Sequence, residues 1–154
     1  MSSVLNLSTL FFKHWPWGQG WGLCYLRIVI GCAFVLHALG KFQFGWLTWL
    51  GTELPAWVQG SVAVIELLGG LGLVLGLLTP LATFSLAVIM LGTIVQFHLP
   101  RDHVFVALGE GQEAWELNAT YLTTCLVLAT QGAGAFAVDN LIKHWCGLSD
   151  HQKA

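Results

Sequence analysis

Charge is what this chain has least of. Among its 154 residues are 6 Lys and Arg and 8 Asp and Glu, 9% of the total, where soluble domains carry ~25%. So few charged side chains cannot clothe a soluble monomer of this size. Disorder is excluded too, because it needs low hydrophobicity and high charge, and this chain is 56% hydrophobic with a mean hydropathy of +0.72. Basic residues are scarce and the net charge is −2, so there is no basic face for nucleic acid. The 4 cysteines include no C-x-x-C pair, which removes a thioredoxin-like dithiol and a zinc knuckle. Cys24 and Cys32, eight residues apart on one apolar run, stand ~12 Å apart on a helix, too far for a disulfide. A Cys24–Cys125 contact between helices stays open. Met1 to Gly22 lacks an early basic cluster and is broken by Lys13, His14 and Pro16, so it does not read as a signal peptide. No internal repeat is evident.

What is present is apolar length. Four runs stand out, at about 23–40, 56–78, 81–99 and 117–138, with Arg27 and Glu66 the only formal charges inside them. Each has the ~20 residues needed to span the hydrocarbon core, where an open chain can satisfy its backbone only as helix. The expected fold is therefore all-α: an integral membrane four-helix bundle, antiparallel and up-down, with both termini on one side and the whole chain forming one membrane domain. Thr79-Pro80 makes a tight hairpin between the second and third spans. Trp and Phe crowd the joint 42–55, and the eight Trp and two Tyr of the chain suit the headgroup region. Two flanking stretches, Leu7 to Trp17 and the tail bearing Leu141, Ile142, Trp145 and Leu148, read as interfacial segments, with frayed ends as the alternative. Lys13, Lys143 and Lys153 on the terminal side outnumber Lys41 and Arg101 on the other, which places the termini in the cytoplasm. The expected location is a prokaryotic-type inner membrane or its equivalent.

Ionisable residues inside spans are costly, ~2.5–3.5 kcal/mol each on insertion scales, and mark sites by default. Arg27 lies ~21 Å below Lys41 and Glu66 ~14 Å below Trp57, so Arg27 and Glu66 are expected to pair, either as a register-fixing lock or as part of a proton or ligand site. His37 and Lys41 share a helix face with Arg27 on a similar azimuth. His98 ends the third span and Glu116 begins the fourth, so both converge on the membrane face of Lys41. The expected cluster is His37, Lys41, His98 and Glu116 beneath the aromatic joint, with Asn118 and Tyr121 one turn in. Helix-end snorkelling is the alternative for Lys41 and Glu116, and an interfacial cap for His98. Gly69, Gly72 and Gly76 follow Glu66, and Gly72/Gly76 form a small-xxx-small pair suited to close packing. A b-haem held by His37 and His98 is a weaker possibility, and no metal site is expected.

Five motifs in order resemble the DoxX family: Arg27-x-x-x-Gly31 with His37-Ala38-Leu39-Gly40-Lys41; Glu66-Leu67-Leu68-Gly69-Gly70 with Gly76-Leu77-Leu78-Thr79-Pro80; His98; Trp115-Glu116-Leu117-Asn118-Ala119-Thr120-Tyr121; and Gly132 to Asp139. In the last, Ala133 stands where the family has Pro and Ala137 where it has Ser, which implies a looser turn. The resemblance covers about Tyr25 to Asp139. It implies a small four-helix membrane protein, and some relatives are subunits of quinone-linked sulfur oxidation, such as thiosulfate:quinone oxidoreductase. Fold alone does not fix function. The leading expectation is a redox-associated subunit that binds a quinone-like ligand through Arg27, His37, Lys41, His98, Asn118 and Tyr121. Glu66 and Glu116 are its candidate proton-handling groups. No cofactor is encoded by motif, so electrons would come from a partner or a soluble substrate. The expected partners are the bilayer and either a membrane protein or a second copy of the chain. The alternatives are a non-enzymatic accessory or assembly subunit and, more weakly, a small transporter.

Overall fold

The computed structural model describes residues 18–146; the Leu7 to Trp17 segment and Leu148 lie outside them. Five α-helices follow in order: α1 Gly18–Phe44, α2 Ala56–Leu75, α3 Thr79–Thr93, α4 Glu116–Gln131 and α5 Val138–Trp145. There is no strand among the described residues, only an isolated bridge between Val104 and Ala114. The helical run of α3 continues through a π turn, Ile94–His98, and a 3₁₀ turn, Leu99–Arg101. Three helices are long and apolar enough to cross a membrane: Gly20–Phe44, Ala56–Leu75 and Thr79–Arg101. The exposed apolar side chains along them, such as Tyr25, Leu36, Leu68 and Phe84, are the ones that meet lipid.

The expected fourth span, 117–138, stops early. α4 ends at Gln131 because Gly132 leaves helical geometry at φ 86°, and a turn over 132–137 precedes α5. The 16 residues of α4 rise ~24 Å, less than the ~30 Å hydrocarbon thickness. Its threonines do not need outside partners. Thr120, Thr123, Thr124 and Thr130 each donate a hydroxyl to the carbonyl four residues back, a bond internal to the helix.

The α1/α2 contact is built on two glycines. A Cβ on Gly31 would lie 2.8 Å from the Gly70 carbonyl oxygen, and one on Gly70 would lie 2.8 Å from that of Gly31. The closest approach is thus Gly31 on Gly70, rather than the Gly72/Gly76 pair read from the sequence. Small residues let helix backbones approach where the hydrophobic effect supplies no drive. Gly69 instead abuts Leu86 of α3. A buried core of Ile30, Phe34, Leu73, Leu86, Met90, Cys125 and Leu128 joins α1 to α4.

The turn between α2 and α3 is a Schellman motif. Gly76 adopts φ 67°, Leu77 N donates to Gly72 O, and Gly76 N donates to Leu73 O; a left-handed residue at this place lets both last-turn carbonyls be satisfied. The first amides of α3 are capped from a distance, since Leu78 N and Thr79 N donate to the two carboxylate oxygens of Asp139 at 2.7 and 2.8 Å. The turn expected to be loose for want of Pro and Ser is therefore tied down. Ala135 N donates to Gly20 O, Asp139 N to Gly76 O, and Asn140 Nδ2 to Gly134 O. α5 leaves Leu141, Ile142 and Trp145 exposed beside Lys143 and His144, an amphipathic arrangement. All four cysteines are free, with Cys24 and Cys125 buried.

Candidate functional site

The expected Arg27–Glu66 pair does not form, and helix geometry explains why. With Gly31 facing Gly70 and α1 and α2 antiparallel, counting outward sets Arg27 opposite Val74 and Val35 opposite Glu66. Those levels differ by eight residues, ~12 Å of rise. Side chains on a helix also lean toward its N-terminus, so Arg27 and Glu66 lean apart. By the same rule Lys41 leans down and Glu66 leans up, and the two form an ion pair. Glu66 is 3% exposed, and the Lys41 ammonium sits 4.7 Å above the ring of Trp49, a cation–π contact that strengthens when desolvated.

Arg27, 1% exposed, holds the other end of the molecule. Nη1 donates to Leu73 O at 2.9 Å and Val74 O at 3.3 Å, while Nη2 donates to Ala135 O, Phe136 O and the sulfur of Cys24. The carbonyl acceptors belong to the last turn of α2, where the Leu73 oxygen also accepts from Gly76 N, and to the 132–137 turn. The negative end of the helix dipole stands in for a carboxylate. Arg27 is thus a brace among three segments and lies outside the Lys41 cluster.

The Lys41–Glu66 pair lines a cavity of about 190 Å³ whose wall includes Phe34, His37, Trp49, Val62, Met90, Thr93, Leu117, Asn118 and Tyr121. Five of the eight residues singled out from sequence meet here: His37, Lys41, Glu66, Asn118 and Tyr121. The Tyr121 ring packs at 5.2 Å from Phe34 and 6.0 Å from His37, and the Asn118 amide reaches Met90 Sδ at 3.8 Å. Basic, acidic, amide and phenolic groups thus share one small, mostly apolar space.

The other three lie elsewhere. His98 turns toward the following loop, where its Nδ1 is 3.0 Å from His103 Nδ1, and Glu113 Oε2 is 3.7 Å from the same His103 nitrogen. The π turn at Ile94–His98 re-aims the end of α3 and carries His98 off the cavity wall. Glu116 is exposed at the start of α4, with its amide donating to Phe105 O. Arg27 is the brace just described. Among the described residues, no three His, Cys, Asp or Glu side chains stand together as a metal site.

Sequence reasoning missed the roof. Gln59, fully buried, accepts from Leu50 N at 2.8 Å and donates to Gly51 O and Leu54 O, while its own carbonyl accepts from Trp49 Nε1 at 3.4 Å. This one amide fixes the loop over 45–55 and sets Trp49 above Lys41. Arg101 Nη2 donates to Glu53 Oε2 at 2.6 Å, tying the same loop to the end of α3. A glutamine within an apolar span was the available signal.

Comparison with known proteins gives a consistent picture. The DoxX family model matches residues 22–99. A Haemophilus influenzae (strain ATCC 51907 / DSM 11121 / KW20 / Rd) protein named "Uncharacterized protein" is 32% identical over 130 residues, covering 77% of this chain and 88% of its own length. A Bacillus subtilis (strain 168) protein named "Putative oxidoreductase CatD" is 29% identical over 124 residues, covering 79% and 87%. No solved structure matches significantly.

Proposed function

This chain belongs to the DoxX family of membrane proteins, and we propose that it is a redox-associated membrane subunit that binds a quinone-like ligand in the Lys41–Glu66 cavity. In this reading α4 crosses the bilayer with the other three helices as the fourth member of an up-down bundle, its short length made up by the adjoining turns. One observation carries the reading. A salt-bridged pair, Glu66 within the apolar α2 and Lys41 near the end of α1, lines a cavity, where a lock alone would be packed over. Buried ion pairs repay their desolvation poorly as pure stabilisers, and intramembrane ionisable groups mark function.

The chemistry fits a flat ligand with carbonyl or hydroxyl oxygens. The Lys41 ammonium and a His37 ring N–H are donors for a carbonyl oxygen, and Tyr121 offers a hydroxyl. Phe34, Trp49 and Tyr121 supply aromatic faces for a ring. Glu66 is placed to take up or release a proton as the ligand changes redox state. Arg27, His98 and Glu116 have no part in this site. The name of the Bacillus subtilis relative, an oxidoreductase, supports the redox association.

The test is binding of decyl-ubiquinone to the purified protein in lipid nanodiscs, followed by quenching of Trp49 fluorescence against a Trp49→Phe control. Saturable binding that weakens at least tenfold in Lys41→Ala and Glu66→Gln supports the reading. Absence of binding, or binding indifferent to both substitutions, overturns it.

A further inference from the structure

We propose that the cavity is filled sideways from the bilayer, through a portal between α1 and α4, so that its ligand is a membrane-dissolved amphiphile rather than a water-soluble substrate. The ligand class rests on the quinone reading above; the route rests on the walls of the cavity. On the aqueous side the cavity is roofed. Gln59 pins the loop over 45–55 by three side-chain hydrogen bonds, Trp49 covers the Lys41 ammonium, and Glu53 bonded to Arg101 closes the loop against the end of α3. Toward α2 the wall is made by Val62 and the Lys41–Glu66 pair itself, and below the cavity the Gly31/Gly70 contact brings α1 and α2 to backbone distance.

The side between α1 and α4 differs. His37 and Leu117 line the cavity and are exposed on the outside of the molecule. Along the same face of α1, the residues one and two turns from His37 are Ala33, Gly40 and the exposed Phe44, apolar residues suited to hydrocarbon. Between α1 and α4 the ring contacts at this level are the tilted packing of Phe34 and the edge-on packing of His37 against Tyr121. No backbone close approach like that of Gly31 and Gly70 occurs there among the described residues. Rings move by rotamer change, whereas closely packed backbones do not. A ligand arriving from lipid would thus meet the His37 imidazole first and the Lys41–Glu66 pair, 15% and 4% exposed, behind it. Its polar head would enter and any apolar tail would stay in the bilayer, where no binding pocket for it is needed.

Two measurements test the route. In the first, stopped-flow association of decyl-ubiquinone in nanodiscs is compared between the wild type, a portal-filling variant (His37→Trp with Leu117→Trp) and a roof-loosening variant (Arg101→Ala), which releases Glu53 and touches no cavity-lining residue. Lateral entry predicts association slowed at least tenfold in the former and within twofold of wild type in the latter. Faster association in Arg101→Ala with no slowing in the portal variant overturns it. The second needs no quinone, so failure of the ligand reading and failure of the route are read separately. A cysteine is placed on the cavity wall by Asn118→Cys and exposed to either a lipid-dissolved maleimide or a charged methanethiosulfonate confined to water, with labelling at position 118 read by mass spectrometry. Labelling by the lipid-dissolved reagent at least tenfold faster supports the portal. Equal or faster labelling by the charged reagent overturns it.

Discussion

The Arg27 guanidinium fills the space that a side chain at position 76 would need, because a Cβ on Gly76 would run into Arg27 Nη1 and lie 2.7 Å from Ala137 Cβ. The Arg-Gly pairing across 49 positions is therefore one feature: glycine makes room, and arginine gathers the carbonyls around it. Gly76→Ala adds a left-handed penalty of ~1–2 kcal/mol to that clash, and Arg27→Lys loses the fork that reaches α2 and the 132–137 turn together. Thermal unfolding in detergent is expected to show Arg27→Lys destabilised by about 1.5–3 kcal/mol, the worth of one hydrogen bond to a charged group, and Gly76→Ala by at least as much. Wild-type melting of both would contradict the brace.

Lys41 and Glu66 are expected to behave as a unit. Removing one partner strands a buried charge, which costs ~3–5 kcal/mol, whereas replacing both with apolar residues is often neutral. Lys41→Met and Glu66→Met alone should each lower the melting temperature markedly, and the double variant should regain most of the loss. Only the ligand test distinguishes the double variant from wild type, for it should melt normally and fail to bind. Additive losses in the melts would show that the pair is not coupled.

The α1/α2 contact should be intolerant of a side chain at its centre, unlike helical glycines that face open space. Gly31→Val and Gly70→Val drive a side chain into backbone and should abolish folded protein or shift melting strongly. Gly22→Ala and Gly92→Ala, where an added Cβ meets nothing within 4 Å, should be silent or slightly stabilising, since Gly within a helix is ~1 kcal/mol poorer than Ala. Equal tolerance at all four positions would refute the register described.

Asp139 caps a helix 60 residues away in sequence. Asp139→Ala should cost ~0.5–2 kcal/mol, the usual range for a lost cap, and hydrogen exchange should accelerate at the Leu78 and Thr79 amides while Gln59-bound Leu50 is unaffected. Unchanged exchange at residues 78 and 79 would show that other groups satisfy them.

The roof depends on a single amide. Gln59→Leu leaves Leu50 N, Gly51 O and Leu54 O without their partner, and limited proteolysis should then cut within residues 45–55 at least severalfold faster. Equal cutting rates would show that the Glu53–Arg101 bond holds the loop unaided.

Composition and hydropathy alone required a membrane-embedded, all-helical chain, because so few charges over long apolar runs admit no soluble alternative. Three of the long helices lie close to the boundaries read from the apolar runs. The same reading also picked out His37, Lys41, Glu66, Asn118 and Tyr121, since polar residues stand out against an apolar background. It could not say who pairs with whom. Partner choice depends on the Gly31/Gly70 register and on the lean of each side chain toward its own helix N-terminus. Both are three-dimensional, and they gave Glu66 to Lys41 and left Arg27 to backbone carbonyls. His98 was lost to the cluster for a similar reason, as a π turn that no periodicity announces rotates it away. The end of α4 at Gly132, the distant cap from Asp139 and the Gln59 roof all depend on chain segments far apart in sequence. Hydrophobicity is a property of each residue and survives in the string, whereas register and direction exist only once helices pack.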